Sequence, residues 1–394
     1  MPSSYLIAAQ RTPMGKFLGS LASLAAPQLA APAIQAALQA ANITPQRVDE
    51  LILGNVLQAG VGQAPARQAA LAAGCPPTIA ALTINKVCGS GLKAVMLADQ
   101  AIRAQDARVI VAGGMESMSQ APHLALGARA GWKYGHQTLL DSLLYDGLTC
   151  STEHAPMGQL ADYIANRFQI SRADQDAFAA ESQHRAAAAR AAGKFRAEIT
   201  PITVRLGKTE TVVQQDEGPR PNTTAADLAK LRPAFDAAGT ATAGNASQLS
   251  DGAAALVVVD ESTARETTSV IKARIVAAAT SGVAPKDLFI APVAAIQLAL
   301  KKSQLTLADI DLIELNEAFA SQCLACLKEL KLDSTRVNVN GGAIALGHPI
   351  GASGARVLVT LLHALADRGL RYGLVSLCLG GGNAVAMVVE RSTD

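Results

Sequence analysis

Aromatic residues are scarce in this 394-residue sequence, which has seven Phe, five Tyr and one Trp. Neither sign of charge dominates, since 34 Lys and Arg stand against 32 Asp and Glu. The sequence also lacks a basic tract interleaved with aromatic side chains, the pattern that binds nucleic acid. It therefore predicts no nucleic-acid partner.

The sequence has no uninterrupted apolar run of the roughly 20 residues that a bilayer-spanning helix needs. Arg11 follows too closely on the first residue for a secretory signal. Half of the residues are nevertheless hydrophobic, enough to bury a large core in two or three domains. We expect a globular cytoplasmic protein with no membrane partner.

Six cysteines are few for a chain of this length, and without a secretory signal they do not indicate a disulfide framework. Cys323 and Cys326 form a C-x-x-C pair inside "NEAFASQCLACLKEL", which has helical periodicity. Because no second pair completes a zinc site, we expect two core thiols on one helix face and no metal.

An internal repeat is the strongest organisational feature. Each copy reads as a buried strand ending in Asn, then a Gly-rich turn with Ser-Gly opening an amphipathic helix, then a strand running into glycines. Three elements in the same order at nearly one offset indicate duplication. The matching pairs are "VDELILGN" (48–55) with "DIDLIELN" (309–316), Ser90-Gly91 with Ser353-Gly354, and "ARVIVAGG" (107–114) with "YGLVSLCLGGG" (372–382).

Alternation of strands and helices predicts an α/β protein with two βαβ-type halves and buried sheets. Sites in such sheets lie where strands end and helices begin. Between the halves, a long Ala-rich helix begins near Ser171 with a capping box and ends at Gly193. We predict an N-terminal half (1–118, completed by about 249–270), an inserted loop domain (119–248) and a C-terminal half (271–394).

Cys88, in "NKVCGSGLKA", is predicted at a helix N-terminus, where backbone N–H groups and the helix dipole favour the thiolate. The glycines beside it leave room for a substrate carbonyl. His348, in "GGAIALGHPIGASG", precedes the corresponding helix of the second half, and a pseudo-twofold axis would bring the two together. Cys378 and Asn316 end two further strands; taken alone, Asn316 is better interpreted as a helix N-cap.

Together these stretches resemble the thiolase family over essentially the whole chain. The motifs that carry the resemblance are "RTPMGKFLGSL", "NKVCGSGLKA", "AGGMESMS", "TATAGNASQLSDGAAA", "NEAFA", "GGAIALGHPIGASG" and "CLGGGNA". The resemblance implies two α/β halves stacked in five layers, αβαβα, with an inserted loop domain. It also implies a homo-oligomer, a dimer or tetramer, in which the arm "GARAGWKYGHQ" forms tetramers.

The resemblance implies ping-pong acyl transfer through a cysteine thioester. Cys88 would take the acyl group, His348 would activate it, and Cys378 would remove an α-proton from a second acyl-CoA. The N–H groups of Cys88 and Gly380 would form one oxyanion hole, and His348 with a water held by Asn316 the other. The implied reaction is condensation of two acetyl-CoA to acetoacetyl-CoA, thiolysis of a 3-ketoacyl-CoA in fatty acid metabolism, or both.

Coenzyme A is expected as substrate, in acyl-CoA form, with no permanently bound cofactor. Positions in matching motifs place its contacts on the inserted domain and beside the acyl site: Ser247, Arg220, Met157, Ala243, Phe235 and Phe319. The features of subtype are mixed, since "GHPIGASG" is typical of biosynthetic enzymes and "RPNTT" of degradative ones. Acyl chain length stays open.

Three alternatives follow from the same residues. A ketoacyl-synthase type of condensing enzyme would also use a cysteine nucleophile, but Cys378 among glycines argues against it. A CoA-binding protein without turnover should have lost at least one of four residues that this sequence retains: Cys88, His348, Asn316 and Cys378. A thiol-redox protein would use Cys88 and Cys378 as a disulfide pair, although neither lies in a C-x-x-C motif.

Overall fold

A single large mixed sheet forms the centre of the protein in the computed structural model, which describes residues 2–207 and 209–392. Smaller two-stranded sheets lie in the middle of the chain, between residues 123 and 213. The strands are β1 (Ser4–Arg11), β2 (Gly15–Lys16), β3 (Glu50–Gly54), β4 (Ala80–Ile84), β5 (Val109–Ser117), β6 (His123–Leu124), β7 (Leu140–Asp141), β8 (Thr149–Cys150), β9 (Ala155–Pro156), β10 (Ile202–Leu206), β11 (Thr209–Val213), β12 (Ser250–Asp260), β13 (Ala273–Gly282), β14 (Leu312–Leu315), β15 (Tyr372–Leu379) and β16 (Asn383–Arg391).

The strand order is β4-β3-β5-β12-β1-β13-β16-β15-β14, with β2 beside β12. Only two residue pairs join β1 to β13, Tyr5 with Arg274 and Leu6 with Ala273. The sheet therefore divides into two halves at this narrow junction. In the first half β3 runs parallel to β5, which pairs antiparallel with β12; in the second, β14 runs parallel to β15, which pairs antiparallel with β16.

The predicted repeat is thus a structural repeat, with one element reduced. The counterpart of β4 in the second half is a single parallel bridge between Ile313 and Val337. The next residue explains why the strand stops. Asn338 has φ 48°, and its side-chain amide bonds both the N–H and the C=O of Leu315, taking the place of a strand partner.

The α-helices cover both faces of each half-sheet. Helices α1 and α2 pack on the outer face of the first half, α8 packs on the outer face of the second, and α3 and α11 lie between the halves. This order confirms the predicted αβαβα layers. The helices are α1 (Ala26–Ala40), α2 (Pro65–Ala72), α3 (Ser90–Ala104), α4 (Met157–Arg167), α5 (Arg172–Ala191), α6 (Ala225–Leu228), α7 (Glu261–Glu266), α8 (Ala291–Ser303), α9 (Ala320–Leu330), α10 (Ala343–Leu346) and α11 (Ile350–Arg368).

Glycines allow α3 and α11 to approach closely. A Cβ on Gly91 would lie 2.7 Å from the backbone N of Ala355, and one on Gly354 would lie 2.5 Å from the backbone N of Leu92. The 263-residue offset of the repeat (354 minus 91) exchanges the two contacts, since Gly91 corresponds to Gly354 and Leu92 to Ala355. The two helices therefore meet as a pseudo-twofold pair, with their N-terminal turns side by side.

The chain leaves the sheet after Ser117 and returns to it at Ser250. Helix α5 in this stretch begins as predicted. Ser171 is its N-cap, with its Oγ accepting from the N–H of Asp174 and the Asp174 carboxylate accepting in return from the N–H of Ser171. Gly193, just past the end of the helix, has φ 72°, the left-handed conformation that glycine adopts without strain.

One helix in the described ranges is long and apolar enough to cross a membrane, α11, with 19 residues and a mean hydropathy of 1.2. Within its apolar window, 83% of the residues are buried inside the fold. Its side chains pack between the two half-sheets, as expected for a core helix.

Replacement of Gly354 by Ala should destabilise the protein because the new methyl group would overlap the backbone of Leu92. Overpacking of this kind costs about 1–3 kcal/mol, and the better helix propensity of Ala returns about 0.5–1 kcal/mol. We expect a lower midpoint of urea-induced unfolding. Gly282→Ala is the control, since its Cβ would meet only an Asn383 side-chain nitrogen at 3.5 Å. Equal midpoints for both variants would contradict this account of the helix pair.

Candidate active site

A pocket of about 520 Å³ opens between the two halves and the inserted stretch. Its walls are mostly apolar, as in most small-molecule sites. Of the residues predicted for the site, only Asn316 does not line this pocket. The predicted residues that do are Cys88, His348, Cys378, Gly380, Ser247, Arg220, Met157, Ala243, Phe235 and Phe319.

Cys88 lies in a tight turn between β4 and α3. Val87, just before it, has φ 47°, a strained conformation for a β-branched residue. Side chains hold this turn closed: Asn85 accepts from the N–H of Val87 at 2.9 Å, and the Ser90 hydroxyl donates to the Val87 carbonyl at 2.6 Å and accepts from the N–H of Lys86 at 2.8 Å. The turn presents the Cys88 sulfur at the start of α3, facing the pocket.

The surroundings of Cys88 keep its thiol protonated. Loss of hydration raises the pKa of Cys88 to about 12, although the N–H groups of Gly380 and of Cys88 itself lower it. The charge of Glu116 raises it further. The backbone N–H groups at the helix terminus lower the pKa of Cys88, as predicted, but loss of hydration raises it by more. Cys88 needs a base to become a nucleophile.

His348 supplies a neutral base in the same pocket. Burial, together with the positive charge of Arg356, lowers the pKa of His348 to about 3. Its Nδ1 lies 2.6 Å from the Ser353 hydroxyl, which itself donates to the Pro349 carbonyl at 2.8 Å. A Ser353 hydroxyl that donates to Pro349 fits the tautomer in which Nδ1 carries the hydrogen and donates to Ser353. This tautomer leaves Nε2 free to accept a proton.

The backbone of His348 is fixed from the β12 side. Its N–H donates to the Gln248 carbonyl at 3.0 Å and to the Ser250 hydroxyl at 3.2 Å. Gly347 has φ 109°, and a Cβ there would lie 2.3 Å from the Ser250 oxygen. Only glycine fits this approach.

Cys378 lies near the end of β15 and is almost completely buried, with 2% of its surface exposed. Burial, with the nearby Cys88, raises the pKa of Cys378 well above its ordinary value. The three-residue turn that follows has positive φ at Gly381 (82°) and Gly382 (87°), which brings Gly380 back over the Cys88 turn. A Cβ on Gly380 would approach Val87 to 3.3 Å.

Asn316 follows the end of β14 and is 1% exposed. Its backbone N–H donates to the Ser376 carbonyl at 3.0 Å. Neither side-chain atom has a hydrogen-bond partner within the described ranges. Helix capping does not explain Asn316, because the N-cap of α9 is Phe319. A buried amide with unused donors and acceptors is suited to hold a water or a ligand atom.

The residues predicted to contact CoA surround the pocket mouth. Arg220 and Ala243 are exposed, while Ser247 and Met157 are half-buried. Phe235 covers Gly158, since a Cβ there would lie 2.0 Å from the phenyl ring.

Sequence reasoning missed Phe289, which lies at one end of a row of three aromatic rings. Its ring centroid is 5.3 Å from that of Phe319, which is 6.0 Å from that of Phe235, both edge to face. With Phe17, four of the seven phenylalanines of the chain line this one pocket. The sequence could have suggested Phe289, because aromatic residues are few in this chain and each is therefore a candidate for the wall of an apolar site.

Glu116, within the motif "AGGMESMS", was also missed as an individual residue. Its buried carboxylate accepts from the Asn55 amide at 2.5 Å, from the N–H groups of Val56 and Leu57 at 3.1 Å, and from the N–H of Gly351 at 2.9 Å. It therefore ties the loop after β3 to the first turn of α11.

All six cysteines are free thiols. Cys323 and Cys326 lie buried on α9, as predicted. No cluster of three or more His, Cys, Asp or Glu suited to a metal occurs in the ranges that the structure describes.

Alkylation of Cys88 by iodoacetamide should accelerate about tenfold per pH unit from pH 6 to pH 9, because the thiolate fraction grows by that factor below the pKa. Peptide mass analysis after timed quenching measures the rate at Cys88. Glutathione in the same mixture, with an ordinary thiol pKa, should level off towards the top of this range. A rate at Cys88 that is independent of pH would show a preformed thiolate and contradict the raised pKa.

Comparison with known proteins agrees with this architecture. Residues 4–262 match the family model described as thiolase, N-terminal domain, and residues 269–391 match thiolase, C-terminal domain. The acetyl-CoA acetyltransferase of Escherichia coli (strain K12) is 54% identical over 99% of this chain and 100% of its own length.

Solved structures agree as well. The Bacillus anthracis acetyl-CoA acetyltransferase superposes with a TM-score of 0.97 and 42% identity, covering 100% of this chain and 99% of that one. Human mitochondrial 3-ketoacyl-CoA thiolase superposes with a TM-score of 0.96 and 43% identity, covering 99% of each. Sequence, fold and pocket agree on one assignment: the chain belongs to the thiolase family.

Proposed function

We propose that this protein is an acetyl-CoA C-acyltransferase that works by ping-pong covalent catalysis. Its substrates are acyl-CoA thioesters, and it condenses two acetyl-CoA to acetoacetyl-CoA, cleaves 3-ketoacyl-CoA with CoA, or does both. The observation that carries the proposal is the meeting of Cys88, His348, Cys378 and the Gly380 turn in one pocket. Full-length similarity to acetyl-CoA acetyltransferases supports it.

In the first half-reaction, Nε2 of His348 takes the proton of the Cys88 thiol, and the sulfur attacks the acyl carbonyl. The carbonyl oxygen becomes an oxyanion that the N–H groups of Cys88 and Gly380 stabilise. The bond to CoA sulfur then breaks, and the departing thiolate takes the proton of the Cys378 thiol. The products are free CoA, acylated Cys88, a Cys378 thiolate and a protonated His348.

In the second half-reaction, the Cys378 thiolate removes the α-proton of a second acetyl-CoA. Its raised pKa makes it a strong base once it is ionised. The carbanion attacks the thioester on Cys88, and His348 returns its proton to the Cys88 thiolate as acetoacetyl-CoA forms. Protonated His348 and a water held by the unpaired amide of Asn316 support the enolate oxygen.

The inserted stretch 119–248 is proposed as the CoA-binding domain. Arg220 stands exposed at the mouth, where a guanidinium suits a phosphate or the face of an adenine. Ser247, Ala243, Met157 and Phe235 line the pocket wall. The free thiols fit a reducing compartment, so we propose that the protein acts in the cytoplasm.

Substitution of the two pocket cysteines separates the half-reactions. Cys88→Ala should reduce condensation and thiolysis at least about 10⁴-fold, because the covalent route is lost. Cys378→Ala should still form acetyl-Cys88 from acetyl-CoA but condense about 10²–10⁴-fold more slowly, the usual contribution of an acid–base group. Acetoacetyl-CoA absorbance and peptide mass report the two steps.

Cys326→Ala is the matched control, a buried thiol that does not line the pocket. It should retain both steps. Normal turnover in Cys88→Ala would refute the proposed chemistry. No acylation of Cys88 in the wild type by any acyl-CoA would favour a CoA-binding protein without turnover.

We also propose a homo-oligomer, a dimer formed through the free edge of β4 and paired into a tetramer by the exposed arm 127–137. On its outer side β4 has no strand partner within the described ranges, and Leu82 on it is 42% exposed. The arm exposes Trp132 (47%) and Tyr134.

A charge on the β4 edge should therefore dissociate the dimer. We expect Leu82→Lys to shift the mass measured by light scattering towards one chain. Leu298→Lys, at an equally exposed leucine (42%) on α8, should leave the mass unchanged. A wild-type monomer, or an unchanged mass in Leu82→Lys, would contradict this interface.

A further inference from the structure

The segment 216–220, which carries Arg220 to the pocket mouth, is anchored to the core by its first two residues. The carboxylate of Asp216 accepts two hydrogen bonds from the buried guanidinium of Arg11, at 2.6 and 2.9 Å. The Glu217 carboxylate accepts from the N–H of Lys16 at 2.8 Å. The segment is thus fixed at one end while Arg220 stands exposed at the other.

Two glutamines link the rest of the segment to α10. Gln183 on α5 accepts from the N–H of Arg220 at 2.7 Å and donates to the carbonyl of Ile344 at 3.2 Å. Gln248 donates to the carbonyls of Gly218 at 3.2 Å, Ile344 at 3.0 Å and Ala345 at 3.2 Å. Each glutamine therefore holds both the 216–220 segment and α10.

The two elements are also in direct contact. A Cβ on Gly218 would lie 2.2 Å from the carbonyl oxygen of Ala345. With backbone packed against backbone, displacement of the segment must displace α10 as well.

Helix α10 ends at Leu346, two residues before His348, the proposed base. Gly347 joins them in a left-handed conformation against Ser250, and the N–H of His348 donates to the carbonyl of Gln248. Gln248 thus contacts the base through its backbone and the CoA-facing segment through its side chain.

We propose that Gln183 and Gln248 are positioning residues that couple occupancy of the Arg220 end of the pocket to the position of His348. The inference rests on the proposed acyl transfer from CoA thioesters to Cys88. On this account the nucleotide end of CoA, held at Arg220, raises the rate constant of acylation and not the affinity alone. Binding energy from a non-reacting part of a substrate can raise the rate of the reacting step, and the glutamine network links the two ends of the pocket physically.

The test compares two acyl donors that share the reacting end. Acetyl-CoA reaches Arg220, whereas S-acetylpantetheine lacks the nucleotide. The single-turnover rate constant of Cys88 acylation is measured at saturation with each donor. In the wild type we expect a larger rate constant with acetyl-CoA. In Gln248→Met and Gln183→Met, which keep side-chain length but remove the hydrogen bonds, we expect the ratio between donors to fall about tenfold.

Gln175→Met is the matched control. Gln175 is also buried on α5, but its amide bonds Thr240 and the carbonyls at the start of that helix, away from α10. It should leave the ratio of the two rate constants at the wild-type value. If Gln248→Met does not fold, Gln183→Glu answers the same question, because it retains the acceptor for Arg220 and loses the donor to Ile344.

Equal slowing with both donors would overturn the coupling and leave the glutamines a structural role alone. A wild-type ratio of one would also overturn it. Failure of the proposed function looks different, since neither donor would then acylate Cys88 in the wild type.

Discussion

The close approach of α3 and α11 is the contact on which the rest of the structure depends. Gly91 and Gly354 lie backbone to backbone against the partner helix, and any side chain there would separate the two halves. Because the N-terminal turns of both helices lie side by side, the Cys88 turn from one half and the His348 turn from the other open into the same pocket. Glu116 reinforces this junction by bonding Gly351 and the loop after β3 at once.

Burial at this junction sets the chemistry. It raises the pKa of Cys88 and lowers that of His348, so the resting pair is a thiol and a neutral imidazole and not an ion pair. A Cys88 thiolate present before substrate binds would be open to oxidation and to reaction with other electrophiles. In the proposed mechanism, proton transfer from Cys88 to His348 confines the thiolate to the moment when an acyl group lies beside the sulfur and backbone N–H groups can hold its oxygen.

The inserted stretch and the second half together form the walls of the pocket beside this junction. Three phenylalanine rings pack edge to face along one side, and Met157 at the start of α4 continues the apolar surface. Buried polar contacts hold the insertion against both halves, chiefly the pairing of Arg11 with Asp216 and the two glutamines that reach α10. The polar network fixes geometry, and the apolar wall excludes water from the reacting atoms.

The sequence by itself determined the duplicated α/β architecture and the capped helix at Ser171, since periodicity, capping and glycine placement are local properties. Most of the residues gathered in the pocket were implied by the resemblance of its motifs to a known family. It did not determine that the second copy of β4 shrinks to one bridge, because that depends on the Asn338 side chain meeting Leu315 across the fold. Nor did it determine the protonation of Cys88 and His348 or the roles of Glu116 and Phe289. Desolvation and long-range hydrogen bonds exist only between segments far apart in the chain, so only the tertiary structure decided them.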